Sequence, residues 1–198
     1  MSKIFIDLGA HLGESVIRFY KDVADATEYK IYAFEPNPAL TSQLQQNLKG
    51  FSNVEIISKA VSDRDGIVEL YVGSMNDADG STLVLNKHTG NIRYDKPVEV
   101  CSINFSNWLQ SIIKSQDYVF LKINIEGGEY VVMENLMQSG ILNQISRIHL
   151  ILHAHKIDGE MFQVIAEDIR FKFLSVCRSL GIPVITTNDG HKNFVTGE

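Results

Sequence analysis

Five short stretches of the chain carry side chains that could do chemistry, each where an apolar run gives way to a turn. The first is IFIDLGAHLGES, residues 4–15, in which Asp7 precedes Gly9 and Gly13. Glycines there let the backbone reverse tightly and aim N–H groups beyond the carboxyl end of a strand, where open α/β sheets bind ligands. The pattern is not the G-x-G-x-x-G of dinucleotide-binding turns, because Asp7 stands where their first glycine would be and its carboxylate would repel a pyrophosphate. An acid there suits a ligand with a cationic end, such as an ammonium, reached directly or through water. A tight turn with a surface acid accounts for the same residues.

The second stretch is AFEPNP, residues 33–38, at the end of the next apolar run. Glu35 follows Gly9 at close to the ~20-residue interval at which an acid accepts hydrogen bonds from ribose hydroxyls. Pro36, Asn37 and Pro38 also read as a helix start, which needs no ligand. The third, ISKAVSD (57–63), brings Ala60, Val61 and Ser62 to a strand exit, small enough for a flat ring to lie against backbone; turn formation by Asp63, Asp65 and Gly66 is the alternative.

The fourth stretch, LKINIEGGEYVVMENL (121–136), is a strand with Lys122 and Asn124, a glycine pair and an amphipathic helix. Glu126 and Glu129, three apart at the junction, reach toward one crevice. Glu129 also suits the helix dipole, and Lys122 also suits a buried bridge. The fifth, LILHAHKID (150–158), sets His153 and His155 two apart, on one face if the strand continues. Such a pair fits proton transfer, substrate contact, metal ligation beside a carboxylate, or a structural role.

The elements that must position these groups follow from hydrophobic periodicity. Strands are predicted at IFID, IYAF, VEIIS, VFLKI, IHLIL and PVIT, and helices near 13–25, 38–48, 104–115, 128–138 and 160–180. Alternating strands and helices indicate an α/β sandwich on a mostly parallel sheet. GIVELYV and PVEVCSI alternate instead, as an inserted antiparallel hairpin does. Between them, residues 74–96 form a long Gly- and Asp-rich segment, expected to be a mobile lid or substrate loop. Its Asp79, Ser81, Asn91 and Tyr94 offer hydrogen bonds to a polyhydroxylated acceptor.

Length and composition suit one domain over 1–198, with 44% hydrophobic and 21% charged residues, near the globular average. A net charge of -6 without any basic run speaks against nucleic acid as partner. Cys101 and Cys177 lack ligand spacing and read as reduced thiols. No apolar run nears the ~18 residues of a membrane span, and no leader pattern precedes Ile4, so a cytoplasmic protein is expected.

In order, IDLGAHLGES, AFEPNP, SKAVSD, DGSTL and LKINIEGGE resemble the FkbM-type methyltransferases over roughly residues 3–155. The resemblance implies a Rossmann-like class I methyltransferase sandwich that uses S-adenosylmethionine to methylate a hydroxyl of a sugar, glycan or secondary metabolite. It implies that Asp7, Gly9, Ala10, Gly13, Glu14 and Ser15 surround the methionine part, with Asn124 nearby. Glu35 and Pro36 would meet the ribose, and Ala60, Val61 and Ser62 the adenine. Glu126, His153 and His155 are the candidate bases. The chain departs from the family pattern at Asn124, where an Asp is usual, and at His153 and His155, where Glu then His is usual. A neutral amide neither binds a divalent ion nor takes a proton as Asp does, and no metal is predicted. The alternatives are a non-catalytic binding module, or a methyltransferase acting on RNA or protein; oligomeric state is not legible.

Overall fold

The computed structural model describes residues 1–73 and 80–187. In chain order its strands are β1 (Lys3–Leu8), β2 (Tyr29–Phe34), β3 (Val54–Ile57), β4 (Ala60–Ser62), β5 (Gly66–Leu70), β6 (Val98–Asn104), β7 (Tyr118–Ile123), β8 (Arg147–Ile151) and β9 (Val184–Thr187). The α-helices are α1 (Glu14–Asp22), α2 (Thr41–Leu48), α3 (Phe105–Ile112), α4 (Glu129–Ser139) and α5 (Glu160–Ser179).

Six strands form one parallel sheet in the order β3-β2-β1-β7-β8-β9. From β1 the chain builds outward to β2 and β3, then returns to the other side of β1 as β7. Such a reversal opens a crevice beyond the strand ends, because successive crossovers leave the sheet on opposite sides. The first, second and fourth chemistry-bearing stretches all empty into it.

Alternation along β1 assigns the two faces of the sheet. Ile4, Ile6 and Leu8 join a core with Phe105 and Leu109 of α3, Val132, Met133 and Leu136 of α4, and Phe173 of α5. Phe5 points to the opposite face, where its ring stacks on Phe19 of α1 with centroids 4.0 Å apart, beside Ile31, Ala33 and Phe120. Asp7 follows Phe5 by two residues and therefore lies on that second face, beneath α1.

Three expectations change. Ala60–Ser62 is not the tail of the third strand of the main sheet. It pairs parallel with β6, from Ala60 against Ser102, in a separate small sheet ordered β4-β6-β5. The β5–β6 hairpin is antiparallel as predicted, from Gly66 opposite Ser102 to Leu70 opposite Val98, but it stands in this second sheet. In addition, β8 ends at Ile151 and residues 154–156 form a 3-10 turn, so the strand spacing expected of His153 and His155 does not apply.

Candidate active site

The crevice is a cavity of about 670 Å³, within the range of small-molecule sites. Gly9, Ala10, Glu14, Ser15, Glu35, Pro36, Ala60, Val61, Ser81, Asn124 and Glu126 line it, as do His11, Arg18, Lys59, Lys122 and Lys156.

The turn after β1 is fixed from two sides. Gly9 and Ala10 donate N–H bonds to Phe34 O, at 3.1 and 2.8 Å, tying the turn to β2. Gly9 has φ +86, and a Cβ there would fall 1.9 Å from Asn124 O, so backbone passes over backbone where β7 ends. Only glycine permits both. Gly13 has a different reason: its Cβ would meet Leu48 of α2 at 2.8 Å, and it is not a cavity-lining residue.

Asp7 is fully buried one layer behind the wall. Lys122 Nζ lies 2.6 Å from its Oδ1, and the Ser15 hydroxyl donates to its other oxygen. Lys122 also donates to Gly9 O at 3.1 Å. The carboxylate expected to meet a ligand stands outside the lining and instead holds two side chains that line the cavity, with Lys122 in the bridging role.

Glu35 is 6% exposed. Its two oxygens each accept a backbone N–H at 2.9 Å, from His11 and from Asn37. Burial pushes its pKa up, against the pull of those two N–H groups. His11 delivers its N–H from a left-handed conformation, φ 51. Asn37 caps a turn, accepting from Ala39 N–H at 3.0 Å, so α2 starts at Thr41 rather than at Pro38. Across the cavity, Asn124 Oδ1 is buried with no hydrogen-bond partner among the described residues. Leu40, Leu70 and Leu83 complete an apolar wall with Ala60 and Val61. Ser62 is buried outside the lining and donates to Asp63 at 3.0 Å. The exposed Glu14 folds back on Leu12 N–H at 3.2 Å.

At the other end, a connected set of charges surrounds Glu126. Glu129 is fully buried, and its oxygens accept from Ile125 N–H at 2.8 Å and Gly127 N–H at 2.9 Å. That carboxylate shapes the turn in which Glu126 takes φ 54. It also meets His153 Nδ1 at 2.9 Å, and His153 Nε2 stands 3.3 Å from Glu126 Oε1. Lys156 Nζ reaches the two Glu126 oxygens at 3.1 and 3.0 Å, and the buried Lys87 Nζ lies 3.2 Å away. Burial alone would push the Glu126 pKa up, but His153, Lys87 and Lys156 together hold it below the ordinary carboxylate value. His155 is exposed and outside the lining; partial burial and then the neighbouring His153 and Lys156 push its pKa down.

Residues 80–96 pack over this end. The Thr82 hydroxyl donates to Glu126 O at 2.7 Å and accepts from Val84 N–H at 3.0 Å. Tyr94 does not face the cavity: its hydroxyl accepts from Lys87 N–H at 2.6 Å and donates to Lys87 O at 3.1 Å, which folds the segment on itself. Asn91 is exposed away from the lining, and Asp79 lies outside the described residues. Thr82→Val removes one buried hydrogen-bonding hydroxyl and lowers stability by about 1 kcal/mol. A urea denaturation midpoint shifted at unchanged slope checks it.

Sequence reasoning missed Arg18, Lys59, Lys87 and Lys156. Arg18 had a signal, since it follows Ser15 by three on α1 and shares its face. Lys87 had none, because its place depends on how residues 80–96 fold.

A family model for the methyltransferase FkbM domain matches residues 7–181. No curated protein matches the sequence significantly. The fold is similar to the crystal structure of methyltransferase FkbM from Methylobacillus flagellatus KT, with TM-score 0.50 and 16% sequence identity. That match covers 88% of this chain and 37% of the other, so the chain spans well under half of the protein it matches. With the family model covering most of its length, the chain belongs to the methyltransferase FkbM domain family.

Proposed function

We propose that the chain transfers the methyl group of S-adenosylmethionine to a hydroxyl oxygen of a sugar, glycan or secondary metabolite. The observation that carries this reading is the cavity's pairing of Glu35 with Asn124 Oδ1 on either side of the Gly9 turn. Glu35 still has lone pairs for two ribose hydroxyls after accepting its two backbone N–H bonds. The orphaned Asn124 Oδ1 supplies the acceptor that an ammonium needs, and the Arg18 guanidinium can meet a carboxylate. Ala60, Val61, Leu40 and Pro36 offer a flat apolar surface for adenine. These residues fit the donor, which when bound supplies a methyl group on a sulfonium.

The acceptor is then held against the wall made by Ile125, Glu126, Ser81 and Lys156, so that positioning contributes much of the rate. Of Glu126, His153 and His155, Glu126 is the one that lines the cavity, and it takes the hydroxyl proton. Glu129 and His153 stand behind it and fix its place. His153 acts through Glu126 because it is buried outside the lining, and His155 is not needed.

Isothermal titration calorimetry with S-adenosylhomocysteine tests the donor site. Wild type binds it, and Glu35→Gln weakens binding by about tenfold to a hundredfold, the scale of hydrogen bonds to a charged acceptor. Wild type that binds NAD and not S-adenosylhomocysteine refutes the reading.

A further inference from the structure

Residues 80–96 bring a buried lysine to Glu126 from a part of the chain that the large sheet does not hold. Lys87 Nζ lies 2.7 Å from Gly80 O, 3.4 Å from Thr89 O and 3.2 Å from Glu126 Oε2, and its side chain is 1% exposed. Two of these acceptors are carbonyls of its own segment, and the third is the carboxylate read above as the base. Glycine at 80 leaves room for the contact. With φ +82, a Cβ there would fall 2.4 Å from Lys87 Nζ and 3.3 Å from Glu126 Oε2.

The backbone of the lysine is clamped as closely. The Tyr94 hydroxyl accepts from Lys87 N–H at 2.6 Å and donates to Lys87 O at 3.1 Å. Lys87 pairs antiparallel with Ile157, and His88 N–H donates to Lys156 O at 2.9 Å. The fold of the segment therefore aims the ammonium. Lys87 does not line the cavity, so it acts on an acceptor only through Glu126.

The other titratable groups around Glu126 come from elsewhere: His153, His155 and Lys156 from the stretch after β8, and Glu129 from α4. Burial pushes the Lys87 pKa down, and Glu126 pulls it back up. Each group thus favours the charged form of the other. A carboxylate deprived of this neighbour holds its proton more tightly and is less firmly aimed.

We propose that Lys87 is a positioning residue for methyl transfer, which completes Glu126 as the base only when residues 80–96 are folded over the cavity. The segment that walls the acceptor site then also sets the base, so that proton removal waits on a closed site. The proposal rests on the methyl-transfer reading above.

The test uses protein saturated with S-adenosylhomocysteine, in which the isotope-labelled glutamate carboxyls are titrated by nuclear magnetic resonance and the Glu126 signal is assigned by its loss in Glu126→Gln. In wild type Glu126 titrates below the ordinary glutamate value. Lys87→Met raises that value by at least about one pH unit, a tenfold change in proton affinity. Tyr94→Phe, which loosens the segment and touches neither Glu126 nor the cavity, raises it by less in the same direction. Affinity for S-adenosylhomocysteine changes by less than about twofold in both variants. A Glu126 titration that stays at the wild-type value in Lys87→Met overturns the proposal, and so does one that Tyr94→Phe leaves unmoved, since a merely structural hydroxyl would lower the melting temperature alone. Should Lys87→Met fail to fold, Tyr94→Phe decides. Wild type that takes up no S-adenosylhomocysteine overturns the donor reading instead, and shows itself before the titration begins.

Discussion

Lys122→Met lowers the melting temperature by roughly 10 °C, although the residue is one of several lysines at the cavity wall. Asp7 is fully buried and Lys122 is 2% exposed, so neither has water to fall back on. Their contact is 2.6 Å, and among the described residues the remaining partner of Asp7 is one hydroxyl, that of Ser15. Removing one member of a buried pair leaves an uncompensated charge, at a cost of about 3–5 kcal/mol. In a domain of this size each kcal/mol moves the transition by about 2–4 °C. The double variant Asp7→Asn, Lys122→Met regains most of the loss, because exchanging a whole buried pair for neutral groups is often neutral in stability. Calorimetric melting of the two variants is the measurement; a single variant that melts with wild type would show that the pair adds nothing.

Glu126→Gln is expected to lower kcat by about a hundredfold to a thousandfold while donor affinity changes little, since the substitution removes the proposed proton acceptor and leaves the Glu35 and Asn124 end intact. Stability carries a second signature. His153, Lys87 and Lys156 outweigh burial and hold the Glu126 carboxyl below its ordinary value, so its ionised form is favoured by folding. That contribution is fully present above the ordinary glutamate pKa and is lost as pH falls through the lowered native value. The Gln variant lacks this acid-side loss, so wild type and variant converge in stability at low pH. At neutral pH the variant leaves the buried Lys87 without its carboxylate. Burial already pushes the Lys87 pKa down, which favours the neutral amine there. Rates are therefore compared at temperatures where both proteins are folded.

What the sequence conveyed depended on whether a group's role is local. Gly9 and Glu35 were legible because each sits at a strand exit, and strand exits follow from hydrophobic periodicity. The hairpin was legible from its alternation. Asp7 was not, because its partner is 115 residues away and meets it only through the register that places Asp7 beside Lys122 in neighbouring strands. Glu129 reads locally as a first-turn acid for the helix dipole, yet it faces backward to bind two N–H groups and a histidine. His153 and His155 part company because β8 stops at Ile151, and nothing in an apolar run marks where its last pairing falls. Small residues at 60–62 were noticed, while their sheet was not, since strand partnership is a tertiary fact.

Residues 71–97 leave the small sheet after Leu70 and return at Val98, and those two residues face each other across the antiparallel pair. Opposed residues in such a pair lie about 5 Å apart, so the segment begins and ends at nearly one point. A loop closed that way can change length at little entropic cost, because the penalty grows only with the logarithm of its size. It carries Ser81 and Lys87 with it and touches the main sheet's machinery through Thr82 and Lys87 at Glu126. Replacing the segment whole is therefore expected to redraw the part of the cavity wall made by Gly80, Ser81 and Leu83, while the turn at Gly9, the Asp7 pair and Glu35 stay where the large sheet holds them.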